Sequence, residues 1–469
     1  MRALLILSLA ASLFGGVAQA QTPDDALIER GRYLATAGDC AACHTQPRGE
    51  GKPFAGGYGI LSPLGSIFSS NITPSKTAGI GNYTEAQFAR AIREGVRADG
   101  GNLYPAMPYT SYSLLTDEDV HALYTYFMKA VRPVDEKPQQ TALPFPFNLR
   151  FSMKFWNALF LNGDRFKPDP SRNAEYNRGA YLVEALEHCS ACHTPRNQLM
   201  AEMPSQAFAG APLGTWYAPN ITSDPVSGIG GWSEAEIVQY LRTGAVHGKA
   251  QAGGGMAEAV EHSLQHLTDA DLKSIAVYLK AVPPIREPGA TKAPFDHGTP
   301  VSFEGGLRGA APSTSHGPLT TGEQLYSGAC ASCHQPSGGG TRDQAYPSLF
   351  HNTATGGTNT GNLISAILFG VDREAGGKHV LMPRFDQQSY VQPLDDQQVA
   401  LISNYVLEKF GNAALRVTAQ DVATIRAGGP ASPLMLIADY AVPLMIAAAI
   451  VVVLVVAFLV FRLRRRRAA

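Results

Sequence analysis

The chain reads Cys40-Ala41-Ala42-Cys43-His44 near its start, and the same pattern recurs as Cys189-Ser190-Ala191-Cys192-His193 and Cys330-Ala331-Ser332-Cys333-His334. These three motifs contain all six cysteines of the 469-residue chain. Two cysteines separated by two residues and followed directly by histidine are the signature of haem c attachment. The sequence therefore predicts three covalently bound haem c groups, one on each motif.

The spacing within the motif suits this chemistry. Two thiols add to the two vinyl groups of one haem, so the cysteines must lie about one helical turn apart. The adjacent histidine then lies against the iron and supplies its proximal nitrogen, which makes His44, His193 and His334 the predicted ligands. A zinc site would need four ligands, and a redox dithiol would not need the histidine.

The segment that follows the first motif is repeated after the second. Asn71-Ile72-Thr73 recurs as Asn220-Ile221-Thr222, and Met107 recurs as Met256, both at an offset of 149 residues. A constant offset predicts that units one and two are a duplication with similar internal geometry. The third unit is shorter and more divergent. We expect Asn71 and Asn220 to bond either loop backbone or a haem propionate.

Each unit shows the same order of helix signals. A helix with a glycine precedes the motif, and a helix with a Thr or Asp N-cap closes the unit. We expect these two helices to cross, with Gly31, Gly179 and Gly322 allowing close approach. The pattern predicts a mainly α fold with three tandem class I cytochrome c domains and one C-terminal transmembrane helix.

The predicted boundaries follow from Pro- and Gly-rich connections and from the two ends of the chain. A signal peptide occupies residues 1–20. The three cytochrome c domains, the second and third with their preceding linkers, occupy residues 21–135, 136–290 and 291–415. A juxtamembrane linker, the transmembrane helix and a cytoplasmic basic tail occupy residues 416–439, 440–461 and 462–469.

The two ends of the chain predict export and membrane anchoring. Arg2, the apolar stretch 4–14 and the small-residue site Ala18-Gln19-Ala20 are typical of a cleaved secretory signal. The apolar stretch 440–461 is long enough to span a bilayer, and the arginines behind it favour a cytoplasmic tail. A first transmembrane helix and a buried core helix are the respective alternatives. We expect a single-pass protein of the cytoplasmic (inner) membrane with its haem domains in the periplasm.

The charge balance argues against nucleic acid as a partner. Without Arg2 and the five tail arginines, the exported part has 32 basic against 39 acidic residues, a net charge near −7. Haem propionates would add further negative charge. Because nucleic acids bind basic surfaces, we do not expect this part of the chain to bind them.

A six-coordinate haem iron needs a second axial ligand, and a thioether sulfur fills that position in many cytochromes. Met107 and Met256 each lie 67 residues after the first cysteine of their motif, and Met382 lies 52 residues after Cys330. We expect all three methionines on loops just before the final helix of their unit.

Nearby histidines are the alternative ligands. His379 and His351 are the alternatives to Met382 as the second axial ligand in unit three. Three histidines of unit two have no counterpart at the repeat offset, so we expect them to be exposed or hydrogen-bonded: His247, His262 and His266. We expect His188, next to Cys189, to be a surface residue or to contact a propionate.

The motifs, the two Asn-Ile-Thr segments and the run Tyr104-Pro105-Ala106-Met107-Pro108-Tyr109 resemble one family. This is the three-haem cytochrome c subunit of membrane-bound periplasmic dehydrogenases of acetic acid bacteria and other proteobacteria. Alcohol, gluconate, sorbitol, fructose and aldehyde dehydrogenases have such subunits. The resemblance covers essentially the whole mature chain to about Arg426.

The resemblance implies a partner and an acceptor. In the family, the catalytic subunit holds a flavin, a pyrroloquinoline quinone (PQQ) or a molybdenum cofactor. The cytochrome subunit passes its electrons to ubiquinone and anchors the complex, and a small third subunit is a further possible partner. The motif cysteines and histidines hold haem, with the three methionines as distal ligands. Some relatives lack so clear a C-terminal membrane helix.

Other functions remain open on the residues alone. A stand-alone membrane-anchored cytochrome c could deliver electrons to a terminal oxidase. A haem reductase or peroxidase would need an open iron position, and each unit offers a methionine that closes it. The segment Gly228-Ile229-Gly230-Gly231 lacks the strand, the spacing and the acidic residue of a dinucleotide site. We therefore expect no substrate-oxidising site in this chain.

Overall fold

The computed structural model describes residues 23–47, 51–301, 319–432 and 434–468. The predicted signal peptide at residues 1–20 lies outside these ranges. The described residues are mainly α-helical, so the predicted fold class is confirmed in its coarse form. Their strands form four separate two-stranded antiparallel hairpins.

The first unit runs from an N-terminal helix to a capped final helix. Its elements are α1 (Pro23–Ala37), α2 (Cys40–His44), β1 (Gly59–Ser62), β2 (Gly65–Phe68), α3 (Glu85–Glu94), α4 (Tyr109–Tyr112) and α5 (Asp117–Lys129). Thr84 caps α3 and Thr116 caps α5, because each side chain accepts a backbone N–H from the first turn. These bonds satisfy donors that have no partner within the helix.

The second unit repeats this order. Helix α6 (Ser152–Phe160), which the sequence did not predict, lies in the connection that leads to it. The helices of the unit are α7 (Ala174–Tyr181), a π-helical turn (Leu182–Leu186), α8 (Cys189–His193), α9 (Glu234–Thr243), α10 (Gly255–His262) and α11 (Asp269–Ala281). Its hairpins are β3 (Ala211–Leu213) with β4 (Trp216–Ala218) and β5 (Ala245–Val246) with β6 (Ala250–Gln251). Short 3₁₀ turns lie at Pro204–Gln206 and Leu264–His266.

The third unit follows a connection with one 3₁₀ turn (Pro294–Asp296). Its helices are α12 (Gly322–Ala329), α13 (Ala331–His334), α14 (Thr353–Gly356), α15 (Gly361–Phe369), α16 (Asp396–Phe410) and α17 (Ala419–Arg426). Its hairpin consists of β7 (Val371–Ala375) and β8 (Lys378–Met382), in which Val371 pairs with Met382. Asp395 caps α16.

Part of the segment predicted as juxtamembrane linker is folded onto unit three. Helix α17 buries Val422, and Arg426 Nε donates to Asp396 Oδ1 at 2.7 Å. Helix α18 (Leu434–Ala468) begins ahead of the predicted start at residue 440 and continues into the basic tail. Its stretch Tyr440–Phe458 is long and apolar enough to cross a membrane, with a mean hydropathy of 3.0.

In each unit the first helix crosses the last helix at a glycine. A Cβ on Gly31 would lie 2.1 Å from the carbonyl oxygen of Ala122, and one on Gly179 would lie 2.0 Å from that of Ser274. In unit three, a Cβ on Gly322 would lie 2.4 Å from a backbone oxygen of α16. Only a residue without a side chain fits at these distances, so the predicted role of the three glycines is confirmed.

Units one and two share one hydrophobic core, whereas unit three has its own. The shared core joins Leu34 and Leu123 of unit one to Leu186 and Ile275 of unit two. The core of unit three is built around Phe410 and its neighbours. Burial of apolar surface stabilises a contact by roughly 25 cal/mol per Å². The shared core therefore holds the first two units together as one packed body.

We expect Gly31→Ala to lower the free energy of unfolding by about 1–3 kcal/mol, because the added methyl group forces the backbones of α1 and α5 apart. Gly163→Ala is the matched control, since nothing lies within 4 Å of a Cβ at that position. Thermal unfolding followed by circular dichroism measures both variants. Equal stability of the two variants would show that the helix crossing tolerates a side chain.

Candidate haem-binding sites

In every motif the histidine Nδ1 atom lies within hydrogen-bond distance of a backbone carbonyl oxygen. The pairs are His44 with Ser70 at 2.6 Å, His193 with Pro219 at 2.6 Å and His334 with Pro347 at 2.9 Å. A carbonyl oxygen can only accept a hydrogen bond, so Nδ1 carries the ring proton. The Nε2 atom therefore keeps its lone pair for a metal, as in other metal-binding histidines.

These carbonyl partners were not predicted from the sequence. Ser70 and Pro219 stand directly before the two Asn-Ile-Thr segments, so the repeat marks their place. The acceptor is a backbone atom, however, and every residue type has one. Ser70 and Pro219 make the same contact with the motif histidine, although their side chains have nothing in common.

The repeat asparagines hold this loop through backbone contacts. Asn71 Nδ2 donates to Val134 O at 2.7 Å, and Asn71 Oδ1 accepts from Thr73 N at 2.9 Å. Asn220 makes the matching pair of bonds in unit two. Of the two roles left open by the sequence, these contacts favour the bond to loop backbone. Both asparagines thereby support the carbonyl that receives the motif histidine.

Burial lowers the pKa of His44, His193 and His334, and the bond to the carbonyl opposes this only in part. Each ring is therefore neutral at pH 7, which is the form that binds a metal. Burial raises the pKa of Cys40 and of Cys330 to about 12, unlike the activated thiolate of a redox dithiol. Among the described side chains, no group of three or more His, Cys, Asp or Glu could hold zinc.

A continuous cavity of about 2080 Å³ links the three motifs. It is lined by every motif cysteine except Cys333 and by all six predicted axial ligands: His44, Met107, His193, Met256, His334 and Met382. A site for one small ligand usually encloses roughly 300–1,000 Å³, so this cavity has room for more than one. Paired thiols, neutral imidazoles and thioether sulfurs are the groups that haem c needs, so the residues present fit it.

The three methionines reach the cavity from different elements. Met107 lies on a turn before α4, as predicted. Met256 lies in the first turn of α10, and Met382 is the last residue of β8, so the loop predicted for these two is wrong. Gly254 is the N-cap residue of α10 and has a φ of 54°, which glycine adopts readily. Met382 is held by its pairing with Val371.

The alternative histidine ligands lie on the surface. All five of these histidines are exposed: His247, His262, His266, His351 and His379. None of these five lines the cavity. His379 Nε2 lies 2.7 Å from Asp372 Oδ1, and this hydrogen bond raises the pKa of His379. Among the candidates considered, Met256 and Met382 are the ones that border the cavity in their units.

For His188 the sequence left two roles open, a surface residue or a propionate contact, and its position does not favour the first. It lines the cavity, and its ring meets Tyr112 of unit one edge-on, with 5.5 Å between the ring centroids. Burial lowers the pKa of His188 to about 4, so the ring is neutral. Its counterpart Asp39 also precedes the first cysteine of its motif, and both residues have a positive φ. This position forms part of the contact between units one and two.

A comparison with protein families agrees with this geometry. The cytochrome c family model matches residues 28–130 and 319–409. These two segments contain the first and third motifs. The second motif lies between the matched segments and has the same histidine–carbonyl contact as the other two.

Known relatives match along most of the chain. The fructose dehydrogenase cytochrome subunit of Gluconobacter japonicus is 51% identical over 445 residues, which cover 94% of this chain and 91% of the relative. The alcohol dehydrogenase (quinone) cytochrome c subunit of Gluconacetobacter polyoxogenes is 40% identical, over 90% and 89% of the two chains. The gluconate 2-dehydrogenase cytochrome c subunit of Pantoea cypripedii is 38% identical, over 91% and 95%. The chain therefore belongs to the family predicted from its motifs, the cytochrome c subunits of such dehydrogenases.

Proposed function

We propose that this chain carries electrons from a catalytic dehydrogenase subunit through three covalently bound haem c groups to ubiquinone. The pairing of a motif histidine with a backbone carbonyl in all three units carries this proposal. A single pair of this kind could serve only to hold a loop in place, whereas three pairs around one cavity form a series of like sites. When bound, haem supplies reversible one-electron chemistry at its iron.

The protein residues attach and orient each haem. The attaching cysteines are Cys40 and Cys43, Cys189 and Cys192, and Cys330 and Cys333. The proximal ligands are His44, His193 and His334, each oriented by its carbonyl partner. Met107, Met256 and Met382 would serve as the distal ligands. With a histidine and a methionine available to each iron, we expect no open position for reductase or peroxidase chemistry.

The names of the relatives indicate the class of partner. They are subunits of fructose, alcohol and gluconate dehydrogenases, so this chain has a catalytic dehydrogenase partner. In our proposal that partner holds the flavin, PQQ or molybdenum cofactor, and a small third subunit completes the complex. In this proposal the substrate-oxidising site lies in the partner, so substrate choice depends on the partner.

The C-terminal helix supports a membrane position. Its apolar stretch Tyr440–Phe458 is followed by Arg462 and by four further arginines, which favour a cytoplasmic C-terminus. In our proposal the chain crosses the inner membrane once, and the domains at 21–135, 136–290 and 291–415 lie in the periplasm. Because ubiquinone dissolves in the lipid, the helix keeps the end of the haem series close to its acceptor.

We expect the mature chain to carry three haems, because each motif has its own oriented histidine. Intact mass spectrometry and haem staining after denaturing electrophoresis count them. Replacing Cys189 and Cys192 by alanine removes one attachment site, so two haems are expected in that variant. A fully matured wild-type chain with fewer than three haems contradicts the assignment.

We expect Met107→Ala, Met256→Ala and Met382→Ala each to weaken the sulfur-to-iron absorption band at the red end of the visible spectrum. Each variant removes one of three thioether ligands, so about a third of the band should disappear. The oxidised spectrum of the purified chain measures this loss.

Two variants serve as controls for the methionine substitutions. Met128→Ala removes a methionine that packs against the core and is not among the cavity-lining residues. His379→Ala removes the exposed alternative in unit three. Both should keep the full band. If His379→Ala changed the spectrum and Met382→Ala did not, the distal ligand of unit three would be reassigned.

We expect a chain that ends at Ser432 to be soluble and to keep all three haems, because every motif and its core precede α18. Its rate of reduction by the dehydrogenase partner should remain. Its rate with quinone in liposomes should fall, whereas its rate with a soluble dye should not. A truncated chain that stays on the membrane, or that reduces liposomal quinone at the full rate, refutes the proposed role of the helix.

A further inference from the structure

We propose that two reciprocal clamps, each made of an arginine, an aspartate and a tyrosine, hold units one and two in a fixed arrangement and position their haem sites for electron exchange. In each clamp the arginine and the aspartate belong to one unit and the tyrosine to the other. The first clamp is Arg30, Asp119 and Tyr181, and the second is Arg178, Asp271 and Tyr33. The inference rests on the proposed electron-transfer function and adds the residues that fix the first two sites.

The first clamp is centred on Asp119, in the first turn of α5. This side chain is buried, and both its oxygens are used. Arg30 donates to Oδ1 from Nε at 3.0 Å and from Nη2 at 2.5 Å, and Tyr181 donates its hydroxyl to Oδ2. The same hydroxyl accepts the backbone N–H of Thr116, the N-cap residue of α5, at 3.4 Å. Tyr181 thus reaches from unit two to the start of the last helix of unit one.

The second clamp has the same three residue types, with the tyrosine now coming from unit one. Asp271 lies in the first turn of α11 and receives Arg178 Nε at 2.8 Å and Nη2 at 2.7 Å, one on each oxygen. Tyr33 of unit one donates its hydroxyl to Asp271 Oδ2 at 2.5 Å. It accepts the backbone N–H of Thr268, the N-cap residue of α11, at 3.3 Å. The two contacts therefore resemble the paired contacts of a two-fold interface, here made within one chain.

Each aspartate needs its partners because it is buried. Asp119 is 3% exposed and Asp271 is 8% exposed. A buried carboxylate is costly unless it is paired and hydrogen-bonded. The arginine supplies the opposite charge from the same unit, and the first turn of a helix favours a negative charge. The tyrosine of the other unit supplies a further hydrogen bond, to Oδ2 of Asp119 in the first clamp and to Oδ2 of Asp271 in the second.

The third unit shows that this contact is not a general property of the fold. Its first helix also has a tyrosine, Tyr326, but that hydroxyl donates to Gln335 O of the same unit at 2.7 Å. Its last helix has Gln398 where units one and two have the aspartate, and this side chain folds back onto its own cap residue Asp395. Units one and two instead share the pattern Arg-Gly-x-Tyr followed later by Thr-Asp-x-Asp.

The clamps lie next to the predicted haem sites. Tyr33 and Tyr181 are on the helices that lead directly into the first and second motifs. The motifs also approach each other: the ring of His188 packs on Tyr112, and Tyr58 lies 3.3 Å from Glu258 across the same contact. Because electron transfer between haems slows steeply with distance, fixing the two units also fixes the rate of exchange between their sites.

The test uses Tyr33→Phe, Tyr181→Phe and the double variant in the full haem-loaded chain. Phenylalanine keeps the ring and removes the hydroxyl, so the core stays filled. The variant also removes the acceptor of a backbone N–H, and a neutral hydrogen bond of this kind is worth up to about a factor of ten in an equilibrium. We expect hydrogen exchange at the Thr268 amide to accelerate about tenfold in Tyr33→Phe, and exchange at the Thr116 amide to do the same in Tyr181→Phe.

The double variant should also change the relation between the first two haems. We expect loss of intensity in the haem–haem coupling seen by circular dichroism, and slower electron equilibration after reduction by a photoexcited ruthenium complex. No dehydrogenase or quinone takes part, so this result is independent of whether the proposed partner and acceptor are correct. Tyr326→Phe is the matched control, because its lost hydroxyl serves unit three alone.

Three outcomes decide the proposal. The first outcome upholds it: hydrogen exchange accelerates at the amide that faced each missing hydroxyl. In addition, haem–haem coupling and electron equilibration change in the double variant but not in Tyr326→Phe. It is overturned if the double variant keeps wild-type exchange, coupling and equilibration, or if Tyr326→Phe has the same effect on the first two haems. If the double variant does not mature, the two single variants decide, since each keeps one clamp and must accelerate exchange at its own amide only.

Discussion

The close contact between the first and last helix of each unit is the constraint on which the rest of the structure depends. At Gly31, Gly179 and Gly322 the helices approach until backbone meets backbone. The first helix of each pair leads directly into a Cys-x-x-Cys-His motif, so the crossing determines where the motif histidine lies. The position of the histidine in turn determines where its carbonyl partner and the adjacent cavity must lie.

The sequence could predict those features that depend on the chemistry of a particular side chain. The motifs, the crossing glycines and the caps Thr116 and Thr268 are of this kind, and the family could be identified from the motifs. The carbonyl oxygens of Ser70 and Pro219 could not be predicted, because any residue supplies one. The elements that carry Met256 and Met382 were also missed, because one depends on the backbone at Gly254 and the other on strand pairing.

The contacts between units could not be predicted from the sequence for a different reason. Tyr33 and Tyr326 look alike in the sequence, since both are aromatic residues on the helix before a motif. One hydroxyl reaches Asp271 in the neighbouring unit, and the other stays within its own unit. Two signals in the sequence separate them. Tyr33 is the second residue after the crossing glycine and Tyr326 is the fourth, and the first turn of the last helix has Asp in units one and two but Gln in unit three. Neither signal identifies the partner, because Asp271 lies next to Tyr33 only through tertiary packing.

The two junctions between neighbouring units also differ in charge. At the junction of units one and two, each clamp arginine faces an aspartate. At the junction of units two and three, Arg373 of β7 is 1% exposed and donates to Ala252 O at 2.5 Å and to Gln251 Oε1 at 3.1 Å, both uncharged. Burial lowers the pKa of Arg373, yet a guanidinium stays protonated. This cation joins the hairpin of Met382 to the segment before Met256. Sites with the same types of ligand therefore have different electrostatic surroundings.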